Sequence, residues 1–300
     1  MPKSYHLCIM SLKNPSNLNE SRSSTHMITW ALWSEFTKLP HVILEFQSIY
    51  EPLSDSSPDF VLFHACFGEN ALSRLAEIRK HVKHKTMVFM ELTLPESYVD
   101  YSFTYLPQTI TVPYEEVSLP CLCTALDEHN NVKTHNSILL DHIWPNYCGT
   151  DKEWSSRIYE WLEPYADRYS VAQLRRSGCA AFENFPSWVT PIAEKPYIEY
   201  LDITAHYETY ILTHFGSYEH GVIDMAYRGT RVLVPILNDR PFIPQATIER
   251  LNLATFSTQD ELLALLDAPP SIANQRKLFT DISDVVARID AYCQENLDGR

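Results

Sequence analysis

Three glycines mark the segment of this chain whose residues are best suited to bind a ligand. The sequence of 300 residues has only 7 glycines, and Gly216, Gly221 and Gly229 all lie within residues 213–235. Glycine permits left-handed dihedrals and a close approach of the backbone to a ligand. A helix that starts just after a tight turn also directs unpaired N–H groups and a partial positive charge at that turn. The segment therefore predicts either an anion site, with phosphate as the usual anion, or an ordinary βαβ crossover without a ligand.

The residues around these glycines have the pattern of strand, turn, helix, turn and strand. Residues 210–212 are an apolar run that suits a buried strand, and Gly216 follows as a turn residue. Apolar residues then recur at helical spacing up to Gly229, which is placed to end the helix in a left-handed conformation. Residues 232–234 predict the next strand, which we expect Pro235 to stop.

This segment resembles the donor-binding signature of the GT-B nucleotide-sugar glycosyltransferases. The resemblance rests on Thr213-His214-x-Gly216, on the acid at Asp224 before Gly229, and on Gln245 after the next strand. It implies that the first turn faces the diphosphate and that the carboxylate holds ribose or sugar hydroxyls. The residues that it places at the donor are His214, Gly216, Ser217, Tyr218, Asp224 and Gln245.

The segment also departs from the family pattern. Asp224 stands where Glu is more usual, the turn is longer, and Pro244-Gln245 replaces Asp-Gln. The donor nucleotide stays open for these reasons, and a UDP-sugar is the expected co-substrate.

Three arginines are further candidates for the phosphates of a donor. Arg176, in the pair 175–176, could meet a phosphate or belong to a solvated face. Arg228 and Arg231 follow the predicted helix and could offset the charge of a leaving diphosphate, or could complement the helix dipole instead.

Glu91 is the leading candidate for a catalytic base. It follows an apolar stretch, and an acid at the carboxyl end of a parallel strand lies where α/β proteins bind ligands. The stretch KTMVFMELTLP resembles the strand-acid-x-x-Leu-Pro element of the phage DNA β-glucosyltransferases. This resemblance implies that Glu91 removes the proton of an acceptor hydroxyl as the new bond forms. The alternative is that Glu91 caps the turn that follows.

Two more candidate catalytic residues, Glu20 and His26, lie near the N-terminus. The polar segment 14–24 follows a predicted strand over residues 5–10 and precedes a predicted helix over residues 24–39. Such a loop could contact an acceptor or a phosphate, or it could be a plain surface loop.

Alternating strands and helices predict an α/β fold with parallel sheets. We expect two Rossmann-like domains facing across a cleft, of the GT-B type. Residues 1–133 would bind the acceptor and residues 134–300 the nucleotide sugar. The resemblance implies that the last helix, predicted over residues 274–293, packs back on the first domain. Because GxGxxG and GxxxxGK[ST] are absent, a dinucleotide redox enzyme and a P-loop NTPase are disfavoured.

Composition narrows the class of protein further. The formal net charge of −14 argues against a surface that coats nucleic acid, although a local basic cleft stays compatible with it. The sequence has no stretch of 18 apolar residues, so no membrane span is predicted, and its 7 cysteines lack CxxC spacing. We expect a cytoplasmic monomer or weak dimer with reduced thiols, no metal site, and no cofactor besides the sugar donor.

The function predicted from the sequence is therefore metal-independent transfer of a sugar from a nucleotide sugar to an acceptor hydroxyl. The acceptor could be hydroxymethylated phage DNA, a glycan or a small molecule. Two alternatives stay open, namely a nucleotide-sugar epimerase on the same fold and a nucleotide-sugar-binding protein without catalysis.

Overall fold

The fold is described from a computed structural model of the chain. The described residues are 2–12, 24–52, 54–64, 69–89, 98–104, 112–117, 119–120, 132–141, 148–175, 185–213, 220–269 and 279–298. Contacts divide the chain into two compact units. Unit 1 comprises Met1–Leu122 together with Phe279–Arg300, and unit 2 comprises Cys123–Leu278. The domain boundary near Lys133 that the sequence suggests stays a prediction.

Unit 1 is built on one parallel sheet with helices in the connections. Its strands are β1 (Tyr5–Ser11), β2 (Val42–Ser48), β3 (Phe60–His64), β4 (Lys85–Phe89), β5 (Tyr101–Thr104), β6 (Tyr114–Glu116), β7 (Leu119–Pro120) and β15 (Phe279–Thr280). Its helices are α1 (Ser24–Phe36), α2 (Glu69–Ile78) and α8 (Ile282–Asn296).

The main sheet of unit 1 has the strand order β2-β1-β3-β4-β5-β6, and all its neighbours are parallel. The central strands are buried on both faces and therefore read as nearly continuous apolar runs. Cys8, Val61, Phe63 and Val88 from β1, β3 and β4 form part of one apolar cluster on this sheet. The short strands β7 and β15 pair separately.

The last helix of the chain is tied to the first strand through Asp290. The Tyr5 hydroxyl donates to Asp290 Oδ1 at 2.8 Å, and His41 Nε2 lies 2.9 Å from the same oxygen. Burial raises the pKa of Tyr5, so this phenol keeps its proton and remains a donor. The two ends of the chain therefore complete one unit, with unit 2 inserted between them.

Unit 2 repeats the parallel architecture. Its strands are β8 (Thr134–Leu140), β9 (Ser170–Leu174), β10 (Val189–Ile192), β11 (Tyr207–Ile211), β12 (Arg231–Leu237), β13 (Arg240–Pro241) and β14 (Ala254–Phe256). Its α-helices are α3 (Cys148–Leu162), α4 (Tyr197–Thr204), α5 (His220–Tyr227), α6 (Gln245–Leu251) and α7 (Gln259–Asp267).

The sheet of unit 2 has the order β10-β9-β8-β11-β12, with β14 and the antiparallel β13 also on β12. The connections from β10 to β11 and from β11 to β12 run in the same direction across the sheet. Because parallel crossovers are right-handed, their helices α4 and α5 lie on the same face of the sheet. Trp154 of α3 packs edge-on against Phe242, Phe256 and Trp161, and these rings form an aromatic core in unit 2.

Two details differ from the sequence prediction. β5 and β6 were not predicted, because β5 is short and the polar, proline-bounded stretch 113–120, which includes β6, predicts a loop. β12 runs through Pro235 instead of stopping there, because Pro235 is near the strand's end and still accepts a bond from the Phe242 N–H at 3.2 Å.

Among the described residues, no helix is both long and apolar enough to cross a membrane.

Candidate functional site

Each main sheet has one point at which the chain leaves in opposite directions from neighbouring strands. In unit 1 this point lies between β1 and β3, and in unit 2 it lies between β8 and β11. Open α/β sheets bind ligands in the crevice that forms at the carboxyl ends of the strands at such a point. The polar residues that end these strands are therefore the first candidates for a binding site.

In unit 2, the carboxyl edge at this point holds a buried hydrogen-bonded network. The carbonyl of Asp141, directly after β8, accepts bonds from the Thr213 hydroxyl at 2.8 Å and from Nε2 of Gln173. The Tyr159 hydroxyl donates to Gln173 Oε1 at 3.0 Å. Burial raises the pKa of Tyr159 and keeps it a donor. Asp141, Gln173 and Thr213 are completely buried, so the main chain at Asp141 is fixed between two neighbouring strands.

Asp224, the predicted donor carboxylate, lies in α5 and is 2% exposed. It accepts a hydrogen bond at Oδ2 from the hydroxyl of Tyr197, the first residue of α4. Gly229 ends the same segment with φ of 71°, and the Thr230 N–H bonds the Met225 carbonyl at 2.9 Å. The left-handed glycine predicted after this helix is therefore confirmed.

Arg228 and Arg231 both donate hydrogen bonds to carbonyls at helix ends, but not at the end of α5, the helix that precedes them in the chain. Arg228 Nη1 donates to the carbonyl of Leu201 in the last turn of α4. Arg231 Nη1 donates to the carbonyls of Leu265 and Ala268, at 2.6 and 2.7 Å, where α7 ends. These bonds satisfy carbonyls that have no partner within their own helix.

Gln245 is the first residue of α6 and is exposed, with Nε2 donating to Glu249 Oε1 at 3.0 Å. It follows a hairpin between β12 and β13 whose two turn residues, Asn238 and Asp239, have φ of 50° and 60°. Two successive left-handed residues define a type I′ turn, which Asn and Asp tolerate better than other side chains. Residues 237–245 are proline-rich and charged, which predicts a loop, and the structure shows that they contain a tight hairpin at the carboxyl end of β12.

In unit 1, a chain of three buried polar side chains lies at the corresponding point. Ser11 Oγ of β1 is 3.0 Å from Thr29 Oγ1 of α1, and Thr29 Oγ1 is 2.9 Å from Nδ1 of His64, which ends β3. All three residues are at most 2% exposed. Burial lowers the pKa of His64 to about 3, so the imidazole is neutral at physiological pH and acts as a hydrogen-bonding group.

Most of the predicted site residues lie outside the described part of the chain. These are Glu20, Glu91, Arg176, His214, Gly216, Ser217 and Tyr218, and their roles stay predictions. His26 belongs to α1, but its side chain is not described. Of the predicted site residues, the structure therefore places Asp224, Gln245, Arg228 and Arg231 with their side chains, all in unit 2.

The sequence did not single out Asp141, Gln173 or the Ser11–Thr29–His64 chain. The one signal available was a polar residue at the carboxyl end of an apolar strand, as in SILLD and FVLFH. Within the described ranges, no group of three or more His, Cys, Asp or Glu side chains comes together as a metal site.

No family model and no curated sequence matches the chain. Its structure, in contrast, is similar over almost its full length to solved proteins of two kinds. A glycosyltransferase involved in avilamycin A biosynthesis superposes with a TM-score of 0.59 at 12% identity, covering 99% of both chains. The UDP-GlcNAc 2-epimerase of Neisseria meningitidis, bound to UDP-GlcNAc, gives 0.62 at 12% identity, covering 97% of this chain and 100% of the epimerase.

A third similar structure is an α-glucosyltransferase in complex with UDP and a DNA that contains an HMU base. It has a TM-score of 0.55 at 8% identity and covers 97% of this chain and 98% of its own. Likeness at this level of identity establishes the fold. The chain therefore has the α/β fold of the GT-B proteins, with two Rossmann-like domains, as the sequence predicted.

Proposed function

We propose that this protein is a glycosyltransferase that moves a sugar from a nucleotide sugar to an acceptor hydroxyl. The observation that carries the proposal is the full-length GT-B fold, which it has in common with proteins whose structures hold UDP or UDP-GlcNAc. The fold alone is compatible with several activities. The donor-like segment 213–235 and the predicted base Glu91 favour transfer among them.

In this proposal unit 2 binds the donor, a UDP-sugar, without a metal ion. The turn with His214, Gly216, Ser217 and Tyr218 faces the diphosphate, and Arg176 supplies a positive charge. Asp224 and Gln245 contact hydroxyl groups of the nucleotide sugar. The rigid edge around Asp141 supports this site, because a preorganised polar environment costs little reorganisation when charge develops.

Unit 1 binds the acceptor, and Glu91 is the base, with Glu20 and His26 as the other catalytic candidates. The acceptor oxygen bonds to C1 of the sugar while the bond between C1 and the diphosphate oxygen breaks. The hydroxyl proton passes to the Glu91 carboxylate, and the diphosphate leaves with the bonding electron pair. The net charge of −14 favours a glycan or small-molecule acceptor over DNA, whereas the DNA-bound neighbour keeps a modified base as a candidate.

Epimerisation of a nucleotide sugar is the second candidate function. Several of the similar structures are UDP-GlcNAc 2-epimerases, with TM-scores of 0.59 to 0.62. An epimerase would need two acid/base groups near the sugar and no acceptor.

Product analysis separates the two activities. The protein is incubated with UDP-glucose or UDP-GlcNAc, with and without hydroxymethylated DNA, oligosaccharides and small alcohols. We expect UDP release that depends on one acceptor, and Glu91→Gln should abolish turnover while leaving donor binding intact. Glu77→Gln, on the surface of α2, is the matched control.

Three results would revise the proposal. An active Glu91→Gln enzyme would exclude Glu91 as the base. A sugar that is inverted while still attached to UDP would establish epimerisation. Donor binding without any turnover would identify a binding protein.

A further inference from the structure

Residues 79–85, between the end of α2 and the first residue of β4, form a densely basic segment that we call the basic turn. Its sequence, RKHVKHK, contains four Lys or Arg residues, two His residues and no acid. The whole chain, in contrast, has 24 Lys or Arg against 38 Asp or Glu residues. The basic turn is therefore a local concentration of positive charge in an acidic protein.

The main chain of the basic turn is held in one conformation. The side chain of Val82 packs against the apolar cluster of unit 1. The Lys83 N–H donates to the Pro58 carbonyl at 3.0 Å. The His84 N–H donates to the Asp59 carbonyl, directly before β3, at 2.9 Å. Because the backbone is fixed in this way, little conformational freedom of the chain is lost when a partner binds.

The basic side chains are not required to cap α2. Lys and Arg side chains near the end of a helix often bond to its last carbonyls. Here main-chain N–H groups of residues 79–82 already bond to those carbonyls at 2.8 to 3.2 Å. The accepting carbonyls are those of Leu75, Glu77 and Ile78. The end of the helix therefore does not explain the charges that follow it.

Two of the four Lys and Arg side chains have structural partners, and two do not. Arg79 and Lys83 pair with acids that precede β5 and β3, at 2.9 and 3.0 Å. In the part of the chain that the structure describes, Lys80 and Lys85 have no ion-pair partner. Lys80 is exposed and Lys85 is partly exposed. These two ammonium groups are therefore available to an anion on another molecule.

The basic turn lies at the opposite edge of the unit 1 sheet from the proposed acceptor site. β4 begins at Lys85 and is parallel to its neighbours, so the turn is at the amino edge. Open α/β sheets bind substrates at the carboxyl edge. A partner of the basic turn is thus docked away from the reacting groups, and its binding does not depend on the proposed function.

We infer that the basic turn docks the phosphate backbone of a nucleic-acid duplex. Lysine binds phosphate as a point charge, and a duplex carries about one negative charge per 1.7 Å of its axis. Seven residues span at most about 23 Å, which is enough to meet several phosphates. The turn has no aromatic residue on which an unpaired base could stack, so a duplex fits it better than a single strand. Contacts of this kind carry no sequence preference.

The acidic remainder of the protein is compatible with this contact. Salt screens exposed charges beyond about 8 Å at physiological ionic strength, so distant acids repel the duplex only weakly. An anionic membrane, being flat and wide, would approach more of the acidic surface, and the turn offers it no apolar anchor. The exposed large apolar side chains of the described residues all lie elsewhere, at Ile43, Tyr50, Tyr114 and Val132.

The salt dependence of binding to a short, unmodified DNA duplex tests the inference. Fluorescence anisotropy of the labelled duplex is measured with the full-length protein between about 50 and 200 mM NaCl. The logarithm of the association constant should fall with the logarithm of the salt concentration, with a slope of about −2 or steeper in the wild type. The double variant Lys80→Gln/Lys85→Gln should bind at least about tenfold more weakly at the lowest salt, with a slope shallower by about 1.8.

Lys38→Gln/Lys195→Gln is the matched control. It removes two exposed lysines outside the basic turn and lowers the formal net charge by the same amount, so it should keep the slope of the wild type. Thermal unfolding shows whether each variant is folded. If the double variant is not, the single variant Lys80→Gln, at an exposed position, should still make the slope shallower by about 0.9.

Three results would overturn the inference. The wild type could fail to bind the duplex at the lowest salt, or the control could change the slope as much as the double variant does. Alternatively, vesicles of phosphatidylserine and phosphatidylcholine could retain the wild type but not the double variant, while the duplex does not bind; the partner would then be a membrane. UDP binding, measured on the same proteins, should be equal in the wild type and the double variant, so failure of the duplex assay leaves the proposed function standing.

Discussion

At the scale of single residues, burial decides what the titratable groups can do. His64 is enclosed beside Thr29 and Phe89, and its imidazole is neutral because charging it there would lose hydration. A neutral imidazole with a pKa of about 3 is a weak base, so its contribution is a fixed hydrogen bond at the carboxyl edge of unit 1. This leaves proton removal from an acceptor to other groups, of which Glu91 is the proposed one.

The depressed pKa of His64 predicts how stability depends on pH. In the unfolded chain His64 takes up a proton below about pH 6.5, whereas in the folded protein it does so only near pH 3. Stability is therefore fully present above pH 6.5 and falls as the pH drops from 6.5 towards 3, at up to about 1.4 kcal/mol per pH unit from this residue. Urea unfolding at pH 7.0 and 5.0 should show a smaller loss for His64→Asn than for the wild type.

The control for this prediction is Ser11→Ala, which removes the other hydroxyl of the same buried chain and leaves His64 in place. It should retain the pH dependence of the wild type. An unchanged pH dependence in His64→Asn would show that His64 is not the group responsible.

At the scale of elements, the hydrogen bonds of Arg231 change the interpretation of a sequence feature. An arginine after the donor-like helix suggested a phosphate ligand, but Arg231 bridges β11 and the end of α7. Its Nη2 donates to Thr209 Oγ1 at 2.9 Å, besides the bonds of Nη1 to Leu265 and Ala268. The donors of the guanidinium thus hold α7 against the sheet.

We therefore expect Arg231→Gln to lower the free energy of unfolding by about 1–3 kcal/mol, because carbonyls at the end of α7 lose charged donors. Its affinity for UDP should match that of the wild type. Arg288→Gln, which removes an exposed ion pair with Glu115, is the control and should cost less than about 1 kcal/mol. A stable Arg231→Gln protein with weakened UDP binding would restore the phosphate role.

The elements also show which parts of the structure the sequence could predict. Apolar runs between polar turns predict strands over residues 5–10, 42–49 and 59–65, and β1, β2 and β3 match these ranges to within one residue at each end. The pattern Thr258-x-x-Glu261 predicts a capping box, which is present because it depends only on local residues. The pattern Thr150-x-x-Glu153 predicts a helix that starts after Thr150, but α3 begins at Cys148, so Thr150 lies inside it.

The buried networks could not be predicted in the same way. Gln173 and Asp141 are separated by 32 residues, and Thr213 and Asp141 by 72. Such pairs meet only after the strand order is fixed, and nothing in the local pattern records it. The sequence therefore indicated the carboxyl edge of each sheet, but it did not indicate which buried side chains pack there.

At the scale of the whole molecule, the chain order has a structural consequence. The first strand and the last helix complete unit 1, and unit 2 is an insertion between them. Each unit has its own parallel sheet and its own apolar core. Each also has a buried polar network at the point where the chain leaves two neighbouring strands in opposite directions. In the proposed function, unit 2 binds the donor and unit 1 the acceptor.

Nucleotide binding by unit 2 is the property on which the proposed function depends. We would measure the thermal unfolding of the full-length protein with UDP, GDP, dTDP and CMP, each with and without common sugars, and with Asp224→Asn as a matched variant. A nucleotide present at 100 times its dissociation constant should add about 2.7 kcal/mol to stability, and we expect this for UDP in the wild type, with a smaller gain in the variant. If none of the four stabilises the protein at millimolar concentration, unit 2 does not bind a nucleotide-sugar donor, and the proposed function is wrong.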